Sequence, residues 1–140
     1  MLKNTLSSQH KKKSTYKNNM EKVLRRKEKE HINQSQKFDN MKIDKNIENW
    51  LSDSKVFDNE NDCNILLNDV QKEIVNKMLQ KRYGYIQANQ GTGKTLMGIH
   101  YALYRKDVDN TKNTFIIAPS IAINGTWVTN LENYKIPFTT

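Results

Sequence analysis

The chain holds one cysteine, two prolines and five glycines in 140 residues, and each scarcity excludes something. A lone thiol, Cys63, closes no internal disulfide and builds no zinc site, which fits a reducing compartment. His10, His31 and His100 are too scattered to supply metal ligands in its place, and His100 reads as a surface residue. No run reaches the length of about 18 apolar residues that a membrane helix needs. Lys and Asn interrupt the N-terminus too often for the apolar core of a secretory signal. A transit peptide would be basic and Ser-rich, but the first twenty residues carry Lys and no Arg. A soluble intracellular protein is expected, in cytoplasm, nucleus or a virus-infected cell. The abundant Asn, Lys and Ile match an AT-rich genome. Apolar residues make up only 36%, and the length allows one small domain.

Charge is unevenly placed. Residues 1–45 hold 13 Lys and Arg against 5 Asp and Glu, while residues 46–140 hold 10 of each. The whole excess of +8 lies in the first third, as in an arm that lies along phosphates. Lys11, Lys12 and Lys13, with Arg25 and Arg26, are its candidate nucleic-acid contacts through counterion release. A nuclear-import signal and a solvated tail have the same look. Residues 1–20 have little to bury and are expected to be disordered in isolation. Helix formers from Asn19 to Gln36 allow a solvated helix. Ile43, Ile47, Trp50 and Leu51 have the spacing of a short amphipathic helix. The expected division is a basic, largely disordered or helical arm over 1–60 and a folded part over 61–140.

The pattern sharpens from Ile65. Val70, Ile74 and Met78 recur every four residues, Asn68 or Asp69 can cap them, and a helix is predicted to end near Lys81. Gly84 breaks it, and Tyr85–Ala88 reads as a strand. A loop follows, then a helix from Lys94 to about Arg105 and a polar turn over 107–113. Thr114–Ala118 reads as a buried strand and Asn124–Tyr134 as a helix weakened by Gly125. Such alternation predicts an α/β fold with a parallel sheet covered by helices.

Ala88-Asn89-Gln90-Gly91-Thr92-Gly93-Lys94-Thr95 satisfies G-x-x-x-x-G-K-[ST] with Ala in place of the first glycine. Gly91 and Gly93 let the backbone approach phosphates with positive φ, and the helix beginning near Lys94 aims free N–H groups at them. Lys94 supplies a cation to the β- and γ-phosphates, and Thr95 offers its hydroxyl to Mg²⁺. ATP with Mg²⁺ is the expected ligand.

Two further segments carry a resemblance. Leu67-Asn68-Asp69-Val70-Gln71 is similar to the L-x-x-[YF]-Q segment of superfamily 2 helicases and Swi/Snf-type DNA translocases, with Val70 in place of the usual aromatic. Phe115-Ile116-Ile117-Ala118-Pro119-Ser120, followed by Trp127, resembles motif Ia of the same family, with Trp127 about one residue farther on than usual. The three segments occur in the family's order over residues 65–135. The resemblance implies a RecA-like sheet, an adenine contact from Gln71, and a backbone contact from Ser120 to a nucleic acid, DNA rather than RNA. Ser120 as a turn cap, and Trp127 as a packing residue, remain equal alternatives.

Hydrolysis would need one carboxylate on Mg²⁺ and another on the attacking water. The family carries both in a D-E-x-[HD] segment, yet after Ser120 the one acid is Glu132. The arginine finger and second lobe are missing too. The chain is therefore expected to be the N-terminal piece of such an ATPase, a truncated product or one part of a split enzyme that a second chain completes. No appreciable hydrolysis by the chain alone is expected. The alternatives are a P-loop ATPase or kinase of another branch, and a non-enzymatic nucleic-acid-binding remnant.

Overall fold

Asp44 opens the packed part of the chain by capping a helix with its own carboxylate, which accepts from the backbone N–H groups of Asn46 and Ile47 at 2.9 and 3.2 Å. In the computed structural model, which describes residues 3–81, 84 and 86–139 with side chains from residue 18, the chain forms two units divided between Met41 and Lys42. The first contains one helix, α1 (Lys3–Asp39). Helix therefore covers most of the stretch where disorder is expected, and the side chains of Lys11, Lys12 and Lys13 lie outside the described ones.

The second unit contains α2 (Lys45–Asp53), β1 (Val56–Asp58), β2 (Cys63–Ile65), α3 (Asp69–Leu79) and α4 (Lys94–Asp107). It ends in a helical run of α5 (Ser120–Ala122), a π-helical stretch Ile123–Val128 around Gly125, and α6 (Thr129–Asn133). Residues 45–60, assigned from sequence to the arm, belong instead to this unit. Ile47 and Leu51 from α2 join Val75 and Leu79 from α3 and Met97 and Tyr104 from α4 in one core. Trp50 meets Tyr104 edge to face at 5.2 Å between ring centroids. On the other side of α4, Ile99 packs with Val56 and Leu131. Asn76, fully buried, locks α3 to the start of α2 by donating to Asp44 O at 2.8 Å and accepting from Asp44 N at 3.0 Å. The backbone N–H and C=O of Asp44 are both satisfied without water.

The expected parallel sheet is not formed among the described residues. Their one sheet is the antiparallel pair β1–β2, with Val56 opposite Ile65, Phe57 opposite Asn64 and Asp58 opposite Cys63. Residues 86–88 are not a strand, and Tyr85 of that expected strand lies outside the described residues. The predicted strand Thr114–Ala118 has no ladder partner, and Phe115 and Ile117 are 87% and 97% exposed. A strand apolar on both faces needs neighbours on both edges and cover on both faces. Its composition advertises a capacity for burial, and the partners that would realise it are a separate matter.

Candidate functional site

The loop 88–95 is held from three directions. Gly91 and Gly93 both have positive φ, 81° and 80°, the left-handed region that glycine enters without a Cβ clash. Gly93 is also the N-cap of α4 and offers no side chain to cap it, so the first-turn N–H groups have no side-chain acceptor there. The Thr92 hydroxyl donates to Asn89 O at 2.9 Å and tightens the turn. Lys94 Nζ folds back over the loop and donates to Ala88 O and Asn89 O at 3.0 and 2.6 Å. Gln90 and Gly91 are exposed at the tip, and a Cβ built on Gly91 would meet nothing within 4 Å. Thr95 is half-buried in the first turn of α4, and its hydroxyl has no hydrogen-bond partner among the described residues.

The third tie is Gln71. Asn68 and Gln71 form a reciprocal capping box at the start of α3: Gln71 N donates to Asn68 Oδ1 at 2.9 Å, and Asn68 N donates to Gln71 Oε1 at 3.0 Å. The other end of the same amide donates from Nε2 to Thr92 O at 3.0 Å. A Cβ on Gly93 would strike that nitrogen, so a larger residue there would have to displace the Gln71 amide from Thr92 O, besides entering a positive φ that favours glycine. Residues some twenty apart in sequence thereby become one unit. The N-x-x-Q spacing ahead of an apolar run is the signal that could have revealed the box.

Behind the loop, α4 carries two features that the sequence reading did not assign. A Cβ on Gly98 would lie 2.9 Å from Trp127 Cη2, so the indole sits flush on the helix backbone one turn beyond Lys94. Trp127 packs against a helix and not beneath a sheet. His100, read as a surface residue, is instead 0% exposed. Its Nδ1 pairs with Ser54 Oγ at 2.9 Å, its Nε2 has no partner among the described residues, and burial pushes its pKa down to about 4.

Ser120 is exposed at the start of α5 just after Pro119, and its hydroxyl has no partner among the described residues. Arg25 and Arg26 lie on α1, in the other unit. No cluster of three His, Cys, Asp or Glu side chains arranged for a metal occurs among the described residues, and none of their helices is long and apolar enough to cross a membrane.

The family match that spans this loop is to a helicase-like family of superfamily 2. The model of the Type III restriction enzyme res subunit family matches residues 64–138, more than half of the chain, and the chain belongs to that family. No curated protein and no solved structure matches it.

Proposed function

We propose that the chain is the ATP-binding N-terminal part of a superfamily 2, Swi/Snf-like, DNA-dependent ATPase. The observation that carries this is the loop itself: two left-handed glycines, a helix N-terminus without a side-chain cap and the Lys94 ammonium, held on the Ala88 and Asn89 carbonyls, all belong to one eight-residue segment. The residues fit a nucleotide with Mg²⁺. Both partners of Lys94 are neutral carbonyls, weaker than phosphate oxygens for an ammonium, and the space over Gly91 is open. Loop N–H groups and Lys94 would hold the phosphates, and Thr95 would hold Mg²⁺. Bound ATP–Mg²⁺ supplies a transferable phosphoryl group with its charge partly neutralised. Gln71 retains one N–H and one carbonyl lone pair beyond the bonds it makes, enough for an adenine edge without releasing the loop. Ser120 faces the nucleic acid.

Titration calorimetry of ATP with Mg²⁺ on the wild type and Lys94→Ala is the test. Saturable binding that the variant weakens at least about tenfold, the worth of one charge-assisted bond, is expected. No heat from either chain would sink the proposal. The unpaired Thr114–Ala118 segment favours a second reading, a nucleic-acid-binding remnant whose loop holds no nucleotide, and that same null result would move it to first place.

A further inference from the structure

The described side chains of α1 sort their charge by face. Lys22, Arg25, Arg26 and Lys29 fall at i, i+3, i+4 and i+7, the spacing that gathers four side chains on one side of a helix, and all four are exposed. Glu21 and Glu28, seven residues apart, share a flank about a quarter-turn away. Met20, Val23 and Leu24 line the opposite side and are exposed as well. One acid reaches the edge of the basic face, Glu30, whose carboxylate lies 3.3 Å from Arg26 Nε. An exposed pair of that kind yields readily to a competing anion. Among the described residues no other element belongs to this unit.

We propose that this four-cation face binds the phosphate backbone of a nucleic-acid duplex without reading its sequence. Lys22 to Lys29 covers roughly 10 Å of helix axis, a length over which a duplex presents about six phosphates. A helix holds its cations on one side in advance, so a straight, rigid polyanion meets them together. A lipid surface fits less well. The apolar side has only those three residues before Lys27 and His31 occupy its next turns, too little to embed an interfacial helix. The inference rests on the Proposed function only in taking nucleic acid as the polyanion, and it makes no use of the nucleotide loop.

The test is fluorescence anisotropy of the full chain with a random-sequence DNA duplex from about 50 to 200 mM salt. It compares the wild type, each of Lys22→Gln, Arg25→Gln, Arg26→Gln and Lys29→Gln, their combination, and Lys27→Gln from the apolar side. Gln keeps nearly the helix propensity of Lys and Arg, and the single variants carry the test if circular dichroism shows helix loss in the combination. Each single substitution should flatten the slope of log K against log salt by about 0.9, and the combination by about 3.6. Lys27→Gln should leave the slope unchanged. The proposal is overturned if Lys27→Gln flattens the slope as much as the others do, since charge count and not the face would then decide. It is also overturned by an absence of duplex binding, or by tighter binding to phosphatidylcholine–phosphatidylserine vesicles than to the duplex. ATP titration of the combined variant should match the wild type, so failure here and failure of the nucleotide reading are separately visible.

Discussion

His100 carries one nitrogen more than its surroundings satisfy. It is fully buried, Ser54 Oγ takes one ring nitrogen, and either tautomer leaves the other without a partner among the described residues. Charging such a ring means burying a cation, and its pKa falls from 6.5 to about 4. The unfolded chain therefore binds a proton that the folded chain refuses between those values. The stability contributed by the neutral ring is complete above pH 6.5 and is lost as the pH falls toward 4, on the order of 3 kcal/mol in all. Urea denaturation at intervals from pH 7.5 to pH 4 should show this decline in the wild type and a much flatter profile in His100→Leu. Equal slopes would place the decline elsewhere. The burial was legible, for His100 stands three residues after Met97 and four before Tyr104, on their buried face. Gln71 was half legible. Its place in a capping box is written in four consecutive residues, whereas its bond to Thr92 O joins positions that no local rule brings together.

Helices were read more successfully than strands, and the reason is physical. An α-helix satisfies its backbone within itself, so the spacing in 69–79 and 94–107 suffices to mark α3 and α4. A strand borrows its hydrogen bonds from neighbours, and Thr114–Ala118 has none among the described residues. With Phe115 and Ile117 exposed, replacing either by Lys should change the unfolding free energy of the chain by no more than about 0.5 kcal/mol. Chemical denaturation checks this. A loss above about 2 kcal/mol would mean that the segment is packed in solution, as a sheet strand would be. The π-helical stretch tells a similar story: Gly125 signals weakness, but the place where the helix widens accompanies the seating of Trp127 on Gly98.

At the scale of the whole molecule, charge and packing are divided between two units. Residues 1–41 hold 11 Lys and Arg against 4 Asp and Glu, leaving the remainder at a net charge of only +1. Deleting 1–41 should abolish salt-sensitive retention on a polyanion column while leaving the affinity for ATP–Mg²⁺ within about twofold, because every residue of the loop and its ties lies in the second unit. Loss of nucleotide affinity on deletion would show the arm to be part of that site. The sequence by itself determined what is local: the glycines where φ is positive, the cap at Asn68, the helix that begins at Lys94 and the uneven charge. Tertiary structure decided what depends on neighbours. It exposed Ile117, drew α2 out of the arm and into the core, and turned Gln71 onto the loop. Periodicity measures which face of an element can be buried, but burial and hydrogen bonding are completed only by another element's surface.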